Sequence, residues 1–170
     1  MQQAQTQPRE INLLEKAGNA VWLSNAGRLL FGGSRNDPRG FAIYPISALY
    51  LEDESTEEHI LETHPRWTDD GWIRGEFYIP VLGDSQHFLT RIGFIKPVGV
   101  PRTNGVTVRI IFNNVTLYDG TKLYDGHLEA IDVDLSRFSG EAGTLILEVG
   151  ANGDSTQDWL VWINPRIGFP

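Results

Sequence analysis

The stretch Gly150-Ala-Asn-Gly-Asp154-Ser-Thr-Gln-Asp158-Trp159-Leu-Val-Trp162-Ile-Asn-Pro165-Arg-Ile167 decides the fold. It opens as a turn-rich loop, becomes an apolar run carrying two tryptophans, and meets a proline that cannot donate to a further ladder bond. It therefore predicts a loop, a buried strand and a stop. Period two puts Trp159, Val161 and Ile163 on one face, expected to be core. Leu160 and Trp162 fall on the other, where they need a covering element or a partner. So apolar a strand requires neighbours on both sides, and the chain is expected to close around it as a complete fold.

The same period runs back through the chain as far as Gly71. Ile73, Gly75, Phe77 and Ile79 share one face, with Trp72, Arg74, Glu76 and Tyr78 on the other. Phe88, Thr90, Ile92 and Phe94 form a second inward row, and Val106, Val108, Ile110 and Phe112 a third. Ile131, Val133 and Leu135 alternate with Asp132 and Asp134, and Leu145, Leu147 and Val149 lead into the closing strand. One apolar and one polar face per strand is the pattern of antiparallel sheets packed as a pair. Asp119-Gly120 and Asp125-Gly126 read as hairpin turns. Ahead of Gly71 the pattern is looser. Arg28–Phe31 and Phe41–Tyr44 read as strands, Asn12–Ala17 as either a strand start or a short helix, and Ser55 to Pro65 as either strand or a turn or two of helix behind a capping box.

The chain has 170 residues, no cysteine and a net charge of −8. Its length suits one sandwich, expected over residues 11–170, with residues 1–10 a polar disordered or adapter tail. Lack of cysteine excludes a disulfide framework and thiolate metal sites. The acidic balance argues against nucleic acid and anionic membrane as partners, because both require a basic face. No apolar run reaches the roughly 20 residues of a membrane span. The expected setting is extracellular or cell-surface, as a module separated from its signal or parent polypeptide.

These strands, in the order Arg91-Ile-Gly93-Phe94, Gly105-Val106-Thr-Val108, Ile131-Asp-Val133-Asp-Leu135, Leu145-Ile-Leu147 and Asp158-Trp159, resemble the galactose-binding-like β-sandwich. Within that group the chain is most similar to the novel putative carbohydrate-binding module family, over about Leu61 to Ile167. The resemblance implies an all-β, antiparallel jelly-roll β-sandwich of about eight to ten strands. It also implies a non-catalytic module that binds glycan, a ligand role for His64, and a structural calcium ion.

Sugar recognition needs an aromatic ring against the pyranose C–H face and a few fixed planar donors and acceptors. His64-Pro-Arg-Trp67-Thr-Asp69-Asp70-Gly-Trp72 is the densest such stretch, making His64, Trp67, Asp69, Asp70 and Trp72 candidate ligand residues, joined by Arg35 and Asp37 from Arg35-Asn-Asp37-Pro-Arg39. The bland alternatives are a core or lid tryptophan and ordinary turn chemistry. For calcium, a hard cation that takes six to eight oxygens, the candidates are Asn152, Asp154 and Asp158. Asp132 and Asp134 have a spacing open to glycoside hydrolysis but are expected to face solvent. No nucleophile elbow, zinc-protease motif or phosphate loop occurs, so no enzyme is expected. The competing function is a structural or assembly β-sandwich whose partner is another protein or a second copy, with Leu160 or Trp162 exposed at the contact.

Overall fold

A computed structural model describes residues 10–170. The polar tail expected at 1–10 lies outside the described residues, Glu10 apart. The strands are β1 (Ile11–Asn12), β2 (Val21–Ser24), β3 (Gly27–Leu29), β4 (Phe41–Ile43), β5 (Leu49–Tyr50), β6 (Thr56–Glu57), β7 (Ile60–His64), β8 (Trp72–Ile79), β9 (His87–Phe94), β10 (Val106–Phe112), β11 (Val115–Lys122), β12 (Glu129–Asp134), β13 (Gly143–Gly150) and β14 (Leu160–Gly168). One helical turn, α1 (Leu13–Lys16), is capped by the Asn12 side chain, which accepts from Leu14 N. The two readings of that segment are thus both realised, in succession. Residues 55–64 form strands β6 and β7, not the helix that a capping box would have started.

Two six-stranded antiparallel sheets face each other, as the alternating rows require. One runs β12-β9-β14-β7-β4 with β1 beside the end of β14, and the other runs β11-β10-β13-β8-β2-β3. Their inner rows interlock in one core, including Phe77, Phe88, Ile92, Phe94, Val108, Phe112, Leu147, Leu160 and Trp162. Trp22 enters it from β2 and packs on Gly75, where a Cβ would sit 2.6 Å from the indole, so only glycine fits beneath that ring. The indole N–H is not lost, because it donates to Ala17 O at 2.9 Å.

The closing strand corrects the sequence reading in three ways. Leu160 and Trp162, fully buried, belong to the main core, whereas Val161 and Ile163 face the opposite side of the sheet. Trp159 is half-buried at the strand's entrance. The opposite side is also covered, by a second small cluster with Leu51 and Ile60, flanked by Leu49, Ile95 and Leu128 around the β5-β6 ribbon. Pro165 does not stop the strand: it follows Asn164, whose φ is 46°, at a bulge between Ile163 and Arg166, and pairing resumes beyond it. A bulge removes the ladder bond that proline cannot make. A further correction concerns Asp119-Gly120, which lies inside β11. The β10–β11 hairpin turns on Asn113-Asn114, both with positive φ, as a two-residue primed turn demands.

The ribbon also carries a charge inward. Glu52 follows Leu51, and its carboxylate accepts from Phe94 N at 3.1 Å, Asp125 N at 3.0 Å and Gly126 N at 3.1 Å. Lys122 Nζ lies 2.9 Å from the same group, and both side chains are excluded from solvent. One carboxylate thus joins β9, β11 and the loop between β11 and β12.

Candidate functional site

Several connections meet at one end of the sandwich: the β2–β3 turn and the β7–β8, β9–β10 and β13–β14 loops. The β7–β8 loop is the aromatic and acidic stretch singled out above. Pro65 cannot extend the ladder, and the chain then folds through two tight turns, Thr68 N to Arg66 O at 2.8 Å and Gly71 N to Thr68 O at 2.9 Å. Asn25 of the β2–β3 turn fixes it from one side, donating to Asp70 O at 3.2 Å and accepting from Trp72 N at 3.4 Å. The β13–β14 loop fixes it from the other, through Ala151 N to Gly71 O at 2.8 Å and Gly153 N to Asp69 O at 3.2 Å. A loop held through its own backbone keeps its side chains in place, as a preorganised binding surface requires.

Where this loop enters β8 there is a cleft of about 480 Å³ on the outer face of the second sheet. Cross-strand register builds it. Trp72 stands opposite Gly150, and Gly150 opposite Thr107, so the middle of that row has no side chain and the floor is bare backbone. A Cβ at Gly150 would lie 2.3 Å from Thr107 Oγ1, filling the space. The half-buried Trp72 indole forms a wall, and the Arg74 guanidinium lies over it at 5.3 Å. Arg74 faces Glu148 in the next row, and Glu148 accepts from Arg109 Nη1 at 3.2 Å. Asp69, Asp70 and Asn152 form the rim. A flat ring, planar donors and carboxylate acceptors therefore converge on one concavity, the combination that orients hydroxylated rings.

The candidates divide as follows. Trp72, Asp69 and Asp70 share the cleft. Trp67 is 45% exposed at the far side of the loop, held by its backbone N–H on Pro38 O at 3.0 Å. His64 is 4% exposed and lies behind Trp67, its ring stacked on Phe41 at 5.5 Å and edge-on to Trp67 at 6.0 Å and to Trp159 at 6.4 Å. Burial pushes its pKa down to about 4, and its Nδ1 meets Pro65 O at 2.7 Å. The imidazole is therefore a neutral packing group at physiological pH, not an exposed ligand group. Arg35 donates to the buried Glu62 at 2.8 Å and borders a separate hollow with Tyr44 and Ile46. Asp37 closes a local turn by accepting from Arg39 N, and the Arg39 guanidinium holds its carboxyl below the usual range. Neither Arg35 nor Asp37 reaches the cleft.

The calcium candidates all lie on the β13–β14 loop. Asn152 belongs to the cleft rim, and Asp154 accepts from Thr156 N at 2.8 Å in its own turn. Among the described residues no group of three or more histidine and acidic side chains could hold a metal. Asp158 is different, for it is fully buried, with Oδ1 accepting from the Thr103 hydroxyl and Oδ2 without a partner. Burial pushes its pKa up to about 8. That oxygen could serve a cation, with backbone carbonyls and water supplying the remaining ligands; otherwise it carries a proton. The hydrolase pair is also accounted for: Asp132 lies 2.5 Å and Asp134 3.7 Å from the two nitrogens of His87, away from the cleft.

Sequence reasoning missed Arg74, Thr107, Glu148 and Gly150 as cleft residues. Alternation places Trp72 and Arg74 on one outer face, but no local signal sets Gly150 beside them.

No protein-family description matches the sequence, and no curated protein matches it. Solved structures do share its fold. A CBM51 module from Clostridium perfringens GH95, in complex with methyl-galactose, superposes with a TM-score of 0.53 at 17% identity, over 72% of this chain and 79% of that one. CBM51-2 of C. perfringens ZmpB, in complex with GlcNAc, gives 0.59 at 14% identity over 94% of this chain, which spans 31% of that longer one. The Stig cyclase Fisc from Fischerella sp. TAU, in complex with an indole compound, gives 0.53 at 14% identity, over 86% and 83%. The chain shares the β-sandwich fold of these carbohydrate-binding modules, and an enzyme shares it too.

Proposed function

We propose that the protein is a non-catalytic carbohydrate-binding module, extracellular or displayed at a cell surface, that holds a glycan in the Trp72 cleft. The observation that carries this reading is the juxtaposition of the Trp72 ring, the bare floor at Gly150 and the polar rim of Asp69, Asp70 and Asn152. A pyranose edge fits against that floor, its C–H face on the indole and its hydroxyls on the rim. Two of the solved neighbours carry sugars, which favours a sugar over an indole ligand. Among the described residues no helix is long and apolar enough to cross a membrane.

Three carboxylates, those of Asp69, Asp70 and Glu148, line the cleft against the single guanidinium of Arg74. Uronic and sulfated glycans are therefore expected to bind more weakly than neutral ones, by like-charge repulsion. The direct test is calorimetric titration of the protein with galactose- and N-acetylglucosamine-containing glycans. Trp72→Ala should lower affinity about ten- to thirtyfold. Gly150→Val should do the same while the fold persists, because Gly150 has no positive φ and the clash is with a side chain. Binding that survives both changes sinks this reading.

Self-association is the second reading, and one observation favours it: Ile46 is completely exposed beside Tyr44, itself 43% exposed. The face of the closing strand offers nothing to it, since Leu160 and Trp162 are core. Light scattering on a sizing column separates the two, a defined oligomer without sugar affinity supporting assembly.

A further inference from the structure

The cleft at Trp72 continues across the second sheet. Register sets Trp72 of β8 opposite Gly150 of β13, Gly150 opposite Thr107 of β10, and Thr107 opposite Thr121 of β11. Val106 and Val108 point into the core, so Thr107 between them lies on the outer face, and its cross-strand partners lie there with it. The row therefore drops from a tryptophan to bare backbone and then to two small hydroxyl side chains, and it ends in the open because β11 is the edge of the sheet. Three strand spacings separate β8 from β11, about 14 Å, which exceeds one pyranose and suits a short chain of them.

Both sides of this trough are built. Two residues along each strand, about 7 Å away, runs a second row in register, Arg74, Glu148, Arg109 and Asp119. Its charges alternate in sign, and Arg109 is fixed in the middle of it: Nη1 donates to Glu148 at 3.2 Å, Nη2 donates to Thr116 Oγ1 at 3.3 Å, and Nε lies 3.9 Å from the exposed Asp119 carboxylate. On the other side, Asn104 donates to Asn152 O at 3.2 Å, which carries the cleft rim from the β13–β14 loop to the β9–β10 loop.

From this register we infer that the site is a trough for a linear, neutral oligosaccharide: one sugar unit stacks on Trp72 over Gly150, and the chain runs across the strands over Thr107 and Thr121 to the β11 edge, with Arg109 and Asp119 taking its hydroxyls. The inference rests on the glycan reading of the Trp72 cleft and adds that the ligand is a chain and which way it runs. Arg74 and Arg109 balance Glu148 and Asp119, so the side row offers planar donors and acceptors to hydroxyls without a net charge to draw an ionic glycan. Once the first sugar is held, each further contact is intramolecular, so affinity rises with chain length until β11 is crossed and then levels off.

The test is a calorimetric titration of the wild type, the double variant Asp119→Ala with Thr121→Val, and Trp72→Ala, with nitrogen-15 amide shifts recorded for the wild type. Two ladders are used, β-1,4-linked galacto-oligosaccharides and N-acetylglucosamine oligosaccharides, each from monosaccharide to hexasaccharide. Asp119 and Thr121 are exposed on an edge strand, so the double variant is expected to fold. Wild-type affinity should climb about ten- to thirtyfold along the ladder that binds, that of the double variant about threefold or less, and Trp72→Ala should weaken every length. The longer oligosaccharides should shift the Thr107 and Thr121 amides, whereas the monosaccharide leaves Thr121 in place. An undiminished climb in the double variant, wild-type affinity independent of length, or shifts that spread to Leu23 and Ser24 of β2 instead of Thr121 overturns the trough and leaves the cleft standing. Failure of every glycan to bind overturns the glycan reading itself, and the trough with it.

Discussion

Replacing Glu52 with alanine is expected to destabilise the fold by about 3–5 kcal/mol, read as a lowered midpoint in urea or guanidinium unfolding. The side chain is fully buried against Lys122, itself 2% exposed, so the substitution leaves an ammonium group in the interior without its main counter-charge. It also strips acceptors from the N–H groups of Phe94, Asp125 and Gly126, each of which then carries a desolvation cost. Glu52→Gln keeps one acceptor oxygen but loses the charge and sets an amide donor against backbone N–H groups that the other oxygen received, so it too should destabilise the fold. Lys122→Met should cost less than Glu52→Ala, because the remaining carboxylate still receives three backbone donors. A Glu52→Ala protein with unchanged stability would show that this network ties nothing together.

The second large effect is a pH dependence centred on Asp158. Its folded pKa is raised from 3.8 to about 8 by burial, so between those values the folded state holds a proton that the unfolded state has released. Stability from this group is therefore fully present below about pH 4 and is lost as pH rises through about 8, a total on the order of several kcal/mol. In a chelator-containing buffer the wild type should lose stability from pH 5 to 8. Asp158→Asn should lack that slope and be the more stable protein at pH 8, its amide filling the position of the unpartnered Oδ2. Calcium added at pH 8 that raises the wild-type midpoint and not that of Asp158→Asn would assign a cation to this oxygen. No response leaves the proton as its partner, and an unchanged slope in Asp158→Asn contradicts the account.

How much of this was legible in the sequence depended on how local each feature is. Between Gly71 and Val149, alternation marked the inner rows of β8, β9, β10, β12 and β13, and Ile73, Phe77, Val108 and Leu147 are core as that pattern requires. The closing strand was harder to read for a physical reason. The small β5-β6 ribbon buries its second face too, so with Leu160 to Ile163 all apolar, period two could not say which pair met the main core. Asn113-Asn114 outcompeted Asp119-Gly120 as the hairpin turn because two consecutive residues there hold positive φ.

The site was half legible. Trp72, Asp69 and Asp70 lie on one short loop, so their grouping is written in sequence. Thr107, Glu148 and Gly150 join them only through pairing between strands distant in the chain, which no local pattern encodes. His64 has the chemistry of a ligand, but three aromatic rings surround it and withdraw it from solvent. Asp37 and Arg39 satisfy each other, leaving Asp37 in a turn, as its neighbours Asn36 and Pro38 also suggest.

The most direct test of the glycan cleft uses the protein's five tryptophans as reporters. In a nitrogen-15 labelled sample titrated with galacto- and N-acetylglucosamine oligosaccharides, the Trp72 indole and the Gly150 amide should shift together and saturate at one concentration, while the buried Trp22 and Trp162 indoles stay in place. Saturable binding that leaves Trp72 and Gly150 unmoved, or no response to any glycan, would contradict the assignment.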